Sequence, residues 1–101
     1  MKQLVVDMHK KFGSPAGVDV ILDKKVKQRL LKGGRVSFGG LDIVRHSIVI
    51  KTDLGKLWGF DFLLPSGRDG HLAVTVNAQT GLQEFSSNLF DINIHKELNS
   101  N

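Results

Sequence analysis

Residues 15–34 read PAGVDVILDKKVKQRLLKGG, and the fold turns on whether they form a helix. Val18, Leu22, Val26 and Leu30 recur every four residues, the spacing of one helical face. Ser14 before Pro15 suits a helix start, with the serine as cap and the proline in the first turn. On that reading one helix runs over 15–32. Gly17, the β-branched residues Val18, Val20 and Ile21, and a mid-helix aspartate all weaken it. The favoured alternative makes 18–22 a strand and starts the helix at Asp23, whose carboxylate would cap the first free amides. Both readings make 24–32 helical. Both end that helix at Gly33 and Gly34, because glycine takes the left-handed conformation at a helix C-terminus without a Cβ clash. Lys32 suits the negative end of the helix dipole.

On such a helix Leu22, Val26 and Leu30 form the buried stripe, while Lys25, Arg29 and Lys32 fall together on a neighbouring flank. Lys24 and Lys27 lie on the opposite flank. Cations spaced at i, i+4 and i+7 can touch successive phosphates, and Arg35 just past the two glycines extends the row. The sequence therefore nominates Lys25, Arg29, Lys32 and Arg35 as a nucleic-acid-binding row. No aromatic residue interleaves with them, so base stacking is not expected there.

Toward the N-terminus, Leu4, Met8 and Phe12 again recur every four residues, which predicts a short amphipathic helix over 1–12; a strand over 4–8 is the competing reading. Beyond Arg35 the period changes to two, with a turn signal every ten or so residues. Strands are expected at 36–38, 43–51, 57–64, 71–78 and 82–85, with reversals at Thr52 to Gly55, Pro65 to Gly70 and Asn77 to Gly81. Residues 43–86 thus read as an antiparallel meander. Trp58, Phe60, Phe62 and Leu64 share one face, with Val74 and Val76 beside them. The opposite face offers Gly59, Asp61, Ala73, Thr75 and Asn77, whose small side chains leave a shallow surface. Residues 88–98 fit a strand, with Phe90, Ile92 and Ile94 alternating, or a helix, with Phe90, Ile94 and Leu98 stacked. Residues 99–101 read as a frayed tail.

The expected architecture is α+β: an antiparallel meander sheet of four to five strands with one or two helices packed on one face. It forms one domain over 1–101, made of a mainly helical basic part (1–34), the meander (35–86) and a C-terminal segment (87–101). A chain of 101 residues, 41% hydrophobic and 24% charged, has enough apolar surface for one core and too little for two. The absence of cysteine excludes disulfide scaffolds, thiolate metal sites and thiol nucleophiles. Runs of large apolar residues never exceed three, too short for a membrane-spanning helix or a signal peptide. A soluble, cytoplasmic protein is the expectation.

Charge supplies direction. Residues 1–35 carry nine basic side chains against three aspartates, a net of +6, and the remainder is −2. That asymmetry points to a polyanionic partner, nucleic acid or an acidic protein; a membrane is not expected, and a homo-oligomer is compatible with the sequence. His9, His46, His71 and His95 have no second ligand at metal spacing, so neither a metal nor a cofactor is expected. If residues 43–51 alternate, His46 shares a face with Ile48 and Ile50 and is a hydrogen-bonded core histidine. His71 sits at a hairpin mouth, where functional residues concentrate. No Gly-x-Ser-x-Gly turn, phosphate loop or dinucleotide fingerprint occurs.

Three functions follow. The leading one is a small non-enzymatic binding protein whose basic helix contacts nucleic acid or an acidic partner. A second is a metal-independent ribonuclease or toxin domain, with Arg68 or Arg45 stabilising charge and His71 or His46 moving protons. A third is a structural or inhibitory module that adds a sheet edge or its mixed face to a partner.

Overall fold

A stripe at every fourth residue fits a strand as well as a helix, because four is a multiple of two; only the residues at i+3 discriminate. At 22–30 those positions are Lys25 and Arg29, too polar for a helical core face, and the chain reverses at 23–25 and is extended from Val26. The computed structural model describes residues 2–42 and 44–97. Among them there is no helix. Nine strands follow in order: β1 (Lys2–Met8), β2 (Gly17–Leu22), β3 (Val26–Leu31), β4 (Arg35–Leu41), β5 (Arg45–Lys51), β6 (Leu57–Leu63), β7 (Gly70–Asn77), β8 (Gly81–Ser87) and β9 (Phe90–Glu97). The expected α+β architecture is thereby corrected to all-β. Of the helix expected over 24–32, residues 26–31 are β3; the helix over 1–12 gives way to strand β1; and within the C-terminal segment residues 90–97 form strand β9. Residues 99–101 lie outside the described residues.

The strands form two sheets, β4-β1-β7-β8 and β3-β2-β5-β6-β9. All neighbours are antiparallel except β1 and β7, which run parallel with Val6 opposite Leu72. The expected single meander over 43–86 is therefore divided. β5 and β6 belong to the five-stranded sheet, β7 and β8 to the four-stranded one, and the chain crosses between sheets at 64–69. The apolar face expected beneath helices is instead covered by the other sheet. Leu4, Val6, Met8, Val36, Phe38, Leu72, Val74 and Val76 face Val18, Val20, Leu30, Ile48, Ile50, Trp58, Phe60 and Phe62 in one buried cluster. Two-residue alternation along each strand is what sends these side chains inward and leaves their neighbours on the outer faces.

Turn chemistry explains why the chain reverses after Leu22. Asp23 and Lys24 both have positive φ, 50° and 61°, and the Lys25 amide donates to the Leu22 carbonyl at 2.9 Å. This is the geometry of a type I′ hairpin turn, whose twist matches that of paired strands. Leu22 and Val26, read from sequence as successive residues of a helical stripe, instead face each other across the hairpin. Gly33 likewise takes positive φ, as the sequence implies, but in a β-turn closed by the Gly34 amide on the Leu31 carbonyl at 2.8 Å. That turn carries the chain from β3 at the edge of one sheet to β4 at the edge of the other, where the Gln28 side chain donates to the Ser37 carbonyl at 2.5 Å.

Candidate functional site

Seven residues span about 10 Å along a helix but about 23 Å along an extended strand. Lys25 and Lys32 accordingly stand at opposite ends of β3, Lys25 in the turn before it and Lys32 in the turn after it. Arg29 lies mid-strand on the outer face. Its guanidinium is held by both Asp53 oxygens at 2.9 and 2.8 Å and by Asp19 at 3.3 Å, and these carboxylates, Asp53 foremost, raise its pKa. Arg35 belongs to the other sheet, where its Nε donates to Asp7 at 2.7 Å. The helical row of four is thus not assembled.

A different cationic cluster is assembled. Lys24 and Lys25 occupy the type I′ turn and Lys27 follows two residues later on β3; all three are exposed, and none makes an ion pair among the described residues. Helical reasoning set Lys24 and Lys27 apart from Lys25. Asp-Lys followed by lysine carried the missing signal, since aspartate tolerates the left-handed conformation that such turns require.

The turn is anchored by Asp23. Its amide donates to the Ser47 carbonyl at 2.8 Å, and its Oδ1 accepts the Ser47 amide at 2.9 Å. Its Oδ2 lies 2.7 Å from His46 Nδ1, and His46 Nε2 lies 3.0 Å from the Asp42 carbonyl. His46 is buried beside Ile48 and Ile50, at 6% exposure, with Phe62 tilted against it. Burial alone would lower its pKa, but the Asp42 carbonyl and the Asp23 carboxylate together raise it.

The shallow face expected from sequence is divided between the two sheets. Gly59 and Asp61 border a hollow of about 180 Å³ on the five-stranded sheet, with Lys24, Ser47 and Val49 around it. Ala73 and Thr75 border another, of about 200 Å³, on the four-stranded sheet beside His9, Glu84 and Ser86. Asn77 instead caps its own turn, its Oδ1 accepting the amides of Gln79 and Thr80.

On the same outer face His71 Nε2 contacts one oxygen of Asp7 while Arg35 holds the other. Burial by itself would raise the Asp7 carboxyl; hydrogen bonds from Arg35 and His71 outweigh it and hold the carboxyl below its ordinary value. Asp7 and His71 meet because β1 and β7 run side by side, a pairing of residues 64 apart that no local pattern announces. Arg45 is occupied by Asp91, at 2.8 Å from both a carboxylate oxygen and the carbonyl. Arg68 is exposed in the 64–69 crossing. Among the described residues no group of three or more His, Asp or Glu side chains is placed to hold a metal ion. Among the described residues no helix is long and apolar enough to cross a membrane. Comparison with known proteins finds no matching family model, no matching curated protein and no matching solved structure.

Proposed function

We propose that this protein is a non-enzymatic binding module that presents the β2–β3 hairpin to the phosphate backbone of nucleic acid. The observation that carries the reading is the cluster of Lys24, Lys25 and Lys27 at one exposed turn, in a molecule where Arg29, Arg35 and Arg45 are already held by carboxylates. Lysines on flexible stems act as point charges and make phosphate contacts that fix position without reading bases. The reading places the protein in the cytoplasm and retains Lys25 of the sequence-derived row, while Lys32, at the far end of β3, lies outside the cluster.

Three neutralised phosphates give a slope of log affinity against log salt of about −3 on duplex DNA. Anisotropy titrations of a labelled duplex at several salt concentrations measure it. Changing Lys24, Lys25 and Lys27 together to Glu should abolish binding at low salt. Equal affinity of that variant and the wild type refutes the reading, and binding of an acidic peptide but neither DNA nor RNA replaces it with the acidic-protein alternative.

One observation favours a second reading, metal-independent RNA cleavage. His71 is oriented by Asp7, which Arg35 pins in turn, and the remaining ring nitrogen of this half-exposed histidine has no partner among the described residues. On this reading EDTA-treated protein cleaves RNA and His71→Ala does not. RNA left intact by the wild type after long incubation removes it.

A further inference from the structure

His46 is the one buried ionisable side chain among the described residues, and it faces two acceptors. A carbonyl oxygen only accepts, and the Asp23 carboxylate already accepts the Ser47 amide through its other oxygen. A neutral imidazole has a single N–H to donate, so both contacts are satisfied only when both ring nitrogens carry a proton. The groups facing the ring are Asp23 from the β2–β3 turn, Asp42 from the β4–β5 connection and Phe62 from β6. On its own strand, neighbouring Arg45 is turned to Asp91 on β9, and Ser47 binds Asp23.

Asp23 is also the first residue of the turn that carries the lysines, in a left-handed conformation that aspartate tolerates but that still costs more than an extended one. Three contacts to β5 hold it: its amide on Ser47, the Ser47 amide on its carboxylate, and His46. Loss of the Nδ1 proton breaks the link to Asp23, and loss of the Nε2 proton leaves an Nδ1–H bond to the carboxylate without the attraction of the imidazolium charge, so the link weakens in either case. We infer that His46 is a positioning residue for the basic hairpin: its second proton holds the Asp23–Lys24 turn in the conformation that gathers Lys24, Lys25 and Lys27, and nucleic-acid affinity falls as that proton leaves. The inference rests on the nucleic-acid reading above.

Two measurements separate the inference from that reading. The first needs no nucleic acid. In ¹⁵N- and ¹³C-labelled protein titrated from pH 5 to 9, the His46 ring should titrate above its ordinary value near 6.5, and the amides of Lys24 and Lys25 should shift with the same midpoint. A ring that titrates at or below 6.5, or hairpin amides that ignore it, overturns the inference.

The second measurement is affinity for a labelled duplex across pH 6 to 9 at fixed salt. If proton loss leaves about a third of the molecules with a competent turn, wild-type affinity falls about threefold. Asp23→Asn keeps a residue suited to the left-handed conformation and removes the charge, so its profile should lack that component. Every other ionisable group is common to the two proteins, so the difference between their profiles isolates the link between His46 and Asp23. Parallel profiles overturn the inference. Absence of binding by both proteins at every pH overturns the nucleic-acid reading alone, and the amide titration then decides the positioning.

Discussion

A methyl group added at Gly81 tests how the two sheets meet. An ideal Cβ there would lie 1.6 Å from Cη2 and 2.1 Å from Cζ2 of Trp58, so the six-membered ring of the indole rests directly on the glycine backbone. Trp58 comes from β6 of the five-stranded sheet and Gly81 opens β8 of the four-stranded one, which makes this contact part of the inter-sheet core. Gly81→Ala meets two separable costs. Its φ of +92° is unfavourable for any residue with a Cβ, about 1–2 kcal/mol. Displacing the indole from its packed position adds about 1–3 kcal/mol, the usual range for overfilling a core. The expected total is about 2–5 kcal/mol, measured as the change in unfolding free energy by urea titration. A double-mutant cycle divides it. Trp58→Ala alone should cost about 3–5 kcal/mol, since the ring is only 7% exposed. In the Trp58→Ala background Gly81→Ala should cost only the backbone part, because the clash is gone. Additive costs, or a Gly81→Ala loss under about 0.5 kcal/mol, would refute the placement of the indole and with it the facing of β6 and β8.

Because the folded-state pKa of His46 is raised, its contribution to stability is complete below the unfolded value near 6.5 and disappears as pH rises through the folded value. Denaturation midpoints from pH 5.5 to 9 should decline over that window in the wild type and more weakly in Asp23→Asn; a flat wild-type profile refutes it. Asp7 works in the opposite sense: with its pKa lowered, the stability it supplies is present above 3.8 and is lost as pH falls through the native value. The stability gap between wild type and Asp7→Asn should therefore close on acidification below about 3.8, and a gap that persists at still lower pH argues against the contact with Arg35 and His71. Arg29→Ala should cost less than about 1 kcal/mol despite the loss of two carboxylate partners, because Arg29 and Asp53 are exposed and water screens their attraction. A urea-measured loss above 2 kcal/mol would show that the pair is far better shielded than its exposure implies.

The strands beyond Arg35 were legible because their large apolar residues alternate between turn signals, as in Trp58, Phe60 and Phe62. Residues 1–34 were not, and the reason is arithmetic. Leu4, Met8 and Phe12, like Leu22, Val26 and Leu30, satisfy both periods. Val6 between Leu4 and Met8 favoured two, and Phe12, at 93% exposure, was never part of a core face. The assignment of β5 to β8 to different sheets was beyond any local pattern. Pro65 to Gly70 carries the same turn residues whether the chain folds back within a sheet or crosses to the other.

The candidate site follows the same division. His46 was readable as a core histidine from its parity with Ile48 and Ile50, but its partners come from positions 23 and 42, and only the pairing of β2 with β5 brings Asp23 to it. The basic segment was visible as composition, and its grouping depended on the period assigned. A helix gathers Lys25, Arg29 and Lys32; a hairpin gathers Lys24, Lys25 and Lys27 and gives Arg29 to Asp19 and Asp53 across the outer face. Backbone geometry thus decides which cations face solvent together and which are neutralised, so the composition that suggested a polyanion could not say which lysines would meet it.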